Sequence, residues 1–438
     1  MHLYISLKKQ LNRMKQHTVL KTFLSRFFVL LLNFGLVIYS TNMWGSEGKG
    51  AISIVIADLT IISFFSNIFV GSSISYFAPK YKTEEILPFA YLWSIIIGLL
   101  VPVFIGFYHT IEYSNYLIAL SILSSLLATN VNLFVGQKNI QLFNIYTVLQ
   151  QVCHVLFIII LVYLVKITSV DAYFIGQIIC FGVLFLVSTM QVLKKCTISQ
   201  IKFSKEIRNK LFDYGWKSQL SAFLQFLNYR LSFYFLEFFK GITSVGIFSV
   251  GIALSEAIWM VSKSLSIVLY ADLVNSDNHN EAIAKTKLNL KISFLITFSF
   301  LVIILLIPAD IFSFIFGKDF TQTKEIMILL SPGILAIAVS NIIGYYFAGI
   351  NKLKILNIKS LIGLVFTVVA SFYAIPKWGV RGACLVTTIS YCLSSGLLFW
   401  RFYQITEFHV KDFLFSKKEI NLLLSHFFKT NSSTKLSK

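Results

Sequence analysis

The chain has 438 residues, of which 56% are hydrophobic and only 13% are charged. A soluble domain carries about 25% charged residues, so this composition excludes a soluble protein and indicates a polytopic membrane protein. The formal net charge of +19 does not indicate nucleic-acid binding, because the charges lie between apolar segments rather than on one face.

Apolar segments long enough to cross a bilayer follow one another along the whole chain. A hydrocarbon core of about 30 Å needs roughly 20 apolar residues per helix. We predict twelve such spans, at residues 20–44, 51–77, 86–108, 115–136, 143–165, 170–193, 211–239, 243–271, 289–316, 325–350, 355–376 and 380–405. Pro102, Pro308 and Pro332 lie within spans and are expected to kink their helices.

The distribution of Lys and Arg predicts the orientation of these spans. The two termini and every second connection hold 28 of the 38 basic residues, whereas the intervening connections hold 7. Cytoplasmic loops carry the excess of Lys and Arg. We therefore predict that both termini are cytoplasmic, and that the basic terminal segments lie on anionic membrane lipid.

The longest cytoplasmic connection divides the chain into two halves. We predict an all-α fold with an N-terminal six-helix bundle in 1–195, a cytoplasmic linker in 196–210, a C-terminal six-helix bundle in 211–405 and a basic cytoplasmic tail in 406–438. Repeated halves are typical of transporters, whose binding site lies between them near the bilayer midplane. A central cavity between the bundles is therefore expected.

Signals for an enzyme, a metal site or a cofactor are missing from the sequence. The five cysteines form no CxxC pair, the seven histidines are scattered, and no phosphate-binding GxxxxGK[ST] motif occurs. The connections that face outward are short, with no room for a catalytic domain. We predict no catalytic residues, no metal and no cofactor.

The seventh span carries an arginine where lipid is expected. Arg230 lies on one helical face with Gln219 and Glu237. An arginine at mid-bilayer costs between about 2.5 and 17 kcal/mol, so Arg230 should face a wet cavity or a partner. Its planar guanidinium suits phosphate, and we predict an anion site there. A structural ion pair between Arg230 and Glu237 is the alternative.

The eighth span carries a carboxylate near its centre. Glu256 lies on one face with Lys263. A carboxylate in low-dielectric surroundings takes up a proton readily, so Glu256 is a candidate for ion coupling; a satisfied pair with Arg230 is the alternative. Asp58 in the second span is the counterpart of Glu256, either in ion coupling or as a buried structural group. Arg26 lies near the cytoplasmic end of the first span, from which it can also snorkel to the interface.

Four glycine-containing stretches occur in order along the chain. They are Trp44-Gly45-Ser46-Glu47-Gly48-Lys49-Gly50; Leu227-Asn228-Tyr229-Arg230-Leu231 with Ser244-Val245-Gly246-Ile247-Phe248-Ser249; Phe316-Gly317-Lys318-Asp319-Phe320 with Leu330-Ser331-Pro332-Gly333; and Ile375-Pro376-Lys377-Trp378-Gly379-Val380-Arg381-Gly382-Ala383. Together they resemble the Wzx-type polysaccharide flippases of the multidrug/oligosaccharidyl-lipid/polysaccharide exporter superfamily, over about 20–405. One departure is Ser232, where the family often has Asp.

This resemblance implies a V-shaped pair of bundles and transport by alternating access. The substrate would be an undecaprenyl-diphosphate-linked oligosaccharide, moved from the cytoplasmic to the outer leaflet of the bacterial inner membrane for O-antigen, capsule or exopolysaccharide synthesis. A polysaccharide polymerase and a chain-length regulator are the protein partners that it implies.

The resemblance also assigns roles to the candidate residues. The pyrophosphate would meet Arg230, with Lys263 and Arg26. The sugars would lie in a cavity lined by Gln219, Phe226, Tyr229 and Trp259. Counter-movement of H⁺ or Na⁺ through Glu256 or Asp58 is a separate hypothesis, which rests only on the predicted depth of these two carboxylates in the membrane.

Two other functions remain open at this point. A multidrug cation antiporter of the same superfamily would need an acidic cavity, whereas basic groups within the spans match the acidic ones in number. A membrane-embedded glycan polymerase is disfavoured by the short outward connections.

Overall fold

The computed structural model describes residues 2–108, 114–194, 196, 203–274, 279–350 and 352–406. The predicted tail from residue 407 onward and residues 197–202 of the predicted linker lie outside the described residues. The described chain is helical, with α1 His2–Ser66, α2 Ser72–Phe77, α3 Thr83–Tyr108, α4 Ser114–Gly136, α5 Ile140–Ile159, α6 Asp171–Leu193, α7 Lys205–Lys240, α8 Ile242–Val274, α9 His279–Leu306, α10 Ala309–Phe316, α11 Thr323–Gly349 and α12 Leu353–Thr406. A π-helical turn, Ile160–Leu164, follows α5, and a 3₁₀ turn, Lys318–Phe320, precedes α11.

Nine of the described helices are long and apolar enough to cross a membrane. They are the helices at Ser25–Ser66, Thr83–Gly106, Asn115–Gly136, Ile140–Leu164, Asp171–Leu193, Ile242–Tyr270, Asn280–Leu306, Thr323–Gly349 and Lys354–Thr406. Large apolar side chains are exposed on them, including Phe104, Leu164 and Val369. Such extensive apolar exposure is tolerated where lipid covers the helices. The chain is a multi-pass membrane protein.

Two of the predicted breaks between spans are bends within continuous helices. The predicted spans 20–44 and 51–77 meet in α1, which bends at Gly45 with φ 62°. The spans 355–376 and 380–405 meet in α12, which bends at Gly379 with φ 55°. Glycine adopts this left-handed conformation without a Cβ clash, so helical hydrogen bonding resumes directly after each bend. Each of these two pairs of predicted spans is therefore joined by a bend, with no loop between the helical segments.

The bend in α1 is held by a carboxylate from the 3₁₀ turn. The Ser46 backbone N–H donates to Asp319 Oδ2 at 3.0 Å, and the Ser46 hydroxyl donates to the same oxygen at 2.8 Å. These two donors stabilise the charged carboxylate and lower the pKa of Asp319 below its usual 3.8. Asp319 therefore provides the hydrogen bonds that the first turn after the bend lacks.

Other boundaries also differ from the prediction. The expected span 289–316 is two helices, α9 and α10, because Pro308 between them cannot continue the helical hydrogen bonding. Pro102 and Pro332, by contrast, lie inside α3 and α11, which continue through them. Helix α7 begins at Lys205, inside the expected linker, where the Ser204 hydroxyl accepts from the Ile207 N–H at 3.4 Å.

The chain divides into two compact units. Unit 1 comprises Met1–Phe226, Leu236–Val250 and Ser313–Thr321. Its described core has two apolar clusters, one containing Phe69 and Tyr146 and the other containing Phe174.

Unit 2 comprises Leu227–Phe235, Gly251–Phe312 and Gln322–Lys438. Its larger apolar cluster contains Tyr346 and Phe402, both with 0% exposure. Residues 211–226 and 236–250 belong to unit 1, whereas the expected bundle boundary places them in the second half.

Two helices of unit 1 approach so closely that only glycine fits between them. A Cβ on Gly246 of α8 would lie 1.8 Å from the Ser46 carbonyl oxygen, and a Cβ on Gly50 of α1 would lie 2.1 Å from the Ile242 carbonyl oxygen. Small residues allow helix backbones to pack closely where lipid surrounds a bundle. The glycines after the α1 bend and at the start of α8 therefore fix this crossing.

Candidate functional site

An ion pair joins α7 and α8 in unit 2. Arg230 Nη2 donates to Glu256 Oε1 at 2.6 Å, and the two side chains are 23% and 40% exposed. This is the pairing that the sequence leaves open as the alternative role of Glu256. The Arg230 guanidinium also lies 5.0 Å from the centroid of the Phe233 ring, within the range of a cation–π contact.

The guanidinium of Arg230 is only partly used by this pair. It carries five N–H donors, and in the described part of the chain one of its N–H groups is hydrogen-bonded, to Glu256. Both charged groups are half-buried rather than enclosed, so a second anion can approach the remaining donors. Chemically, the arrangement is a cation with one carboxylate ligand that a better bidentate anion can displace.

Three aromatic rings pack beside the ion pair. Tyr229 lies 5.3 Å from Tyr391 and 5.9 Å from Trp259 between ring centroids, and Trp259 lies 6.0 Å from Tyr391. Ile337 of α11 completes the cluster. We name this set, Tyr229, Trp259, Ile337 and Tyr391, the aromatic cluster. Trp259 is 8% exposed, so its ring packs in the protein and does not present an open stacking face.

Tyr391 is the member of the cluster that sequence reasoning missed. It is 2% exposed, and its hydroxyl has no hydrogen-bond partner among the described residues. It also interacts electrostatically with both Arg230 and Glu256. It lies far along the chain, on α12, in a segment whose apolar composition gave no signal of a site.

A buried polar network fixes α7 next to the ion pair. Asn228 Oδ1 accepts from the Ser390 hydroxyl at 2.8 Å, and the Thr367 hydroxyl oxygen lies 3.4 Å from the same Oδ1. Thr367 also donates to Ser390 at 2.9 Å, and both hydroxyls lie 2.9 Å from the Gly363 carbonyl oxygen. Each of these groups therefore has a partner in an apolar interior, which sets the rotation of α7.

Ser232, where the resemblance leads one to expect Asp, is part of the same interface. Its hydroxyl lies 3.1 Å from the Thr387 hydroxyl, and Ser232 is 2% exposed. A hydroxyl finds a partner at this buried position without the cost of burying a charge.

The other predicted site residues lie apart from this cluster. Lys263 in unit 2 is exposed, and it forms no ion pair within the described part of the chain. In unit 1, Arg26 is exposed and Asp58 is 1% exposed. Two further predicted site residues lie on the part of α7 that belongs to unit 1. The Phe226 ring centroid is 5.4 Å from that of Phe64, and the Gln219 side-chain amide donates to the Ser218 hydroxyl at 3.5 Å. Unit 2 thus brings together Arg230, Glu256, Tyr229 and Trp259.

Comparison with known proteins identifies the fold. No family model matches the chain. A multidrug resistance MATE family transporter of the MOP superfamily in an inward-facing conformation has a TM-score of 0.70 at 15% identity, covering 86% of this chain and 94% of that one. The lipid II flippase MurJ in an inward closed conformation has a TM-score of 0.67 at 16% identity, covering 95% of this chain and 92% of that one.

A third structure, a MOP superfamily transporter from Pyrococcus furiosus described as having a binding pocket of reverse polarity, has a TM-score of 0.62 at 14% identity and covers 89% of this chain and 94% of that one. The chain therefore has the fold of the MOP-superfamily transporters.

One curated protein gives a sequence match. It is the capsular polysaccharide biosynthesis protein CapF of Staphylococcus aureus, 29% identical over 173 residues. The match spans 39% of this chain and 44% of CapF, less than half of that protein's length.

Proposed function

We propose that this protein is a flippase that moves an undecaprenyl-diphosphate-linked oligosaccharide from the cytoplasmic to the outer leaflet of the bacterial inner membrane, for surface polysaccharide synthesis. It would act as a transporter and not as an enzyme. The observation that carries this proposal is Arg230, a half-buried arginine on α7 whose guanidinium is only partly occupied by Glu256.

The chemistry of the pair suits a pyrophosphate substrate. A pyrophosphate offers several anionic oxygens to the planar guanidinium, whereas Glu256 contacts it through one oxygen. Substrate binding would displace Glu256 from Arg230. The freed carboxylate would then take up H⁺ or Na⁺. Breaking this one ion pair would thus couple substrate binding to ion uptake.

The comparisons support the substrate class indirectly. One protein with the same fold is described as a lipid II flippase, and a curated protein that matches 39% of this chain is described as a capsular polysaccharide biosynthesis protein. A substrate made of a lipid tail, a pyrophosphate and sugars fits a half-buried cation close to aromatic side chains.

The topology that we propose has twelve crossings, with both termini in the cytoplasm. Nine helices in the described part of the chain qualify by length and hydropathy. The bent helices Ser25–Ser66 and Lys354–Thr406 have 42 and 53 residues, which is enough for two crossings each at about 20 residues per crossing. Helix α7 would supply the twelfth crossing, since its 36 residues fall short in hydropathy only through polar side chains such as Arg230.

A multidrug cation antiporter is the second candidate, because the MATE family transporter has the same fold. Glu256, at 40% exposure, would then be the group that binds a cationic substrate. The two candidates differ in the residue that the substrate needs, Arg230 in the first and Glu256 in the second.

The test of the proposal is the replacement Arg230→Ala in cells that depend on this protein for surface glycan. We expect loss of surface glycan and accumulation of the lipid-linked intermediate, with normal amounts of protein in the membrane. Arg230→Lys should fail more mildly, because the charge remains without the planar fork.

Arg381→Ala is the matched control, since Arg381 forms an ion pair with Glu325 elsewhere in unit 2 and should be dispensable. Normal export by Arg230→Ala would refute the proposal. Resistance to cationic dyes that depends on Glu256 and not on Arg230 would favour the antiporter.

A further inference from the structure

Unit 1 contains a cavity whose lining includes neither Arg230 nor Glu256. It has a volume of about 250 Å³ and lies between the second half of α1 and α4. Hydroxyl side chains dominate its polar lining; they are Thr60, Ser63, Ser66, Ser121, Ser124 and Ser125.

Most of these hydroxyl protons are already committed to other acceptors. Ser63 donates to the Thr60 carbonyl at 2.7 Å, and Ser124 donates to the Ser121 carbonyl at 3.2 Å. Ser125 donates to the Ser94 hydroxyl at 2.7 Å. A hydroxyl whose single proton is used still offers its oxygen as an acceptor. The cavity therefore presents several acceptors to a ligand that carries several donors.

Ser66 differs from the other serines of the cavity. It is 2% exposed, and its hydroxyl has no hydrogen-bond partner among the described residues. A buried polar group without a partner is costly, and in a native fold it calls for an explanation. Ser66 belongs to the lining of the cavity, although its hydroxyl oxygen is closed off from the open space. A rotation of the Ser66 side chain toward the cavity would let a hydrogen-bonding ligand there supply the missing partner.

The lining favours a neutral ligand over an ion. None of the ten residues that line the cavity is charged. Asp58 precedes the lining residue Leu59 but is not itself part of the lining. An ion would therefore be desolvated there without a compensating charge.

Size and composition limit the ligand further. The volume lies below the range of roughly 300–1,000 Å³ that is typical of sites for drug-sized ligands. That space suits one ring rather than a chain of rings. Asn67, also in the lining, adds an amide that can both donate and accept. A ligand with several hydroxyl groups on one small ring matches all of these features.

We propose that this cavity is a saccharide subsite that binds one pyranose ring through the hydroxyl oxygens of α1 and α4 and through Ser66. This proposal rests on the proposed function in one respect, that the ring belongs to the transported glycan. The subsite itself is defined by the cavity of unit 1 and not by Arg230.

The test uses the full chain in lipid nanodiscs, because glycoside detergents would compete for the cavity. Methyl glycosides in the gluco, galacto, manno and 2-acetamido series serve as probes in saturation-transfer difference NMR. We expect at least one glycoside to receive saturation from the wild type. Ser66→Leu, which fills the cavity, should abolish that signal, and Ser66→Ala should weaken binding about three- to tenfold.

Thermal unfolding separates binding from structure. Ser66→Ala removes a hydroxyl without a partner, so its melting temperature should equal or exceed that of the wild type. Ser125→Ala is the control for a structural serine; it breaks the bond to Ser94 and should lower the melting temperature.

Three results would overturn the subsite. The first is that no glycoside gives a saturation-transfer signal, and the second is that Ser66→Leu keeps the signal. The third is that NaCl abolishes the signal whereas choline chloride does not, which would indicate that the cavity binds a cation. Arg230→Ala should bind the glycoside normally in this assay. Loss of export in that variant with sugar binding intact therefore supports both proposals, and normal export with sugar binding intact refutes the proposed function alone.

Discussion

The crossing of α1 and α8 makes a steric prediction that can be measured directly. In Gly246→Ala the new Cβ would lie 1.8 Å from the Ser46 carbonyl oxygen, where an ordinary contact is 3.4–4 Å. The helices would have to separate by about 1.6 Å, and the obstacle is backbone rather than a flexible side chain. Overpacking of this kind costs about 1–3 kcal/mol, and a rigid obstacle puts the cost at the upper end.

Gly35→Ala is the matched control, since a Cβ on Gly35 of α1 would meet nothing within 4 Å. Both replacements gain about 0.5–1 kcal/mol of helix propensity, so the difference between the two variants isolates the steric cost. At about 2–4 °C per kcal/mol, Gly246→Ala should melt about 4–12 °C below Gly35→Ala. Equal melting temperatures of the two purified variants, followed by tryptophan fluorescence, would refute the close crossing.

Three further predictions concern single polar groups. The hydrogen bonds from Ser46 lower the pKa of Asp319, so their stabilisation is fully present above about pH 3.8 and is lost as the pH falls through the lowered value. Melting temperature measured from pH 6 to pH 3 should therefore fall more steeply for the wild type than for Asp319→Asn, and parallel curves would contradict this. Asn228→Ala removes the acceptor of the Ser390 hydroxyl and should lower the free energy of unfolding by about 0.6–1.7 kcal/mol, whereas replacement of an exposed residue, Asn33→Ala, should change the melting temperature by less than about 1 °C. Tyr391→Phe keeps the ring contacts and removes a buried hydroxyl that has no partner among the described residues, so the melting temperature should stay the same or rise. A lowered melting temperature would show that this hydroxyl does have a partner.

Sequence reasoning could locate the membrane-spanning helices because hydropathy is a local property. The predicted spans 170–193 and 325–350 lie within two residues of α6 and α11. Sequence reasoning could not distinguish a loop from a bend within a helix, because a glycine such as Gly45 permits both. Whether α1 continues past Gly45 depends on Ser46 meeting Asp319, which lies 273 residues away in the sequence.

The candidate site was predictable only in part, for a similar reason. Arg230 and Glu256 were identifiable because a charge inside an apolar span is costly wherever it lies. The Arg230–Glu256 pair could be considered because α7 and α8 are neighbours in sequence. Tyr391 and Asn228 could not be assigned, because their roles depend on the approach of α12 to α7, which no local pattern encodes.

The most direct test of the central claim is lipid translocation by the purified protein. Proteoliposomes would carry a lipid-linked oligosaccharide that ends in galactose in their inner leaflet, and membrane-impermeant galactose oxidase would report its arrival outside by oxidising the C6 hydroxyl. We predict translocation by the wild type and by Arg381→Ala, with at least a tenfold lower rate for Arg230→Ala. Equal rates for Arg230→Ala and the wild type would contradict the claim that Arg230 binds the pyrophosphate.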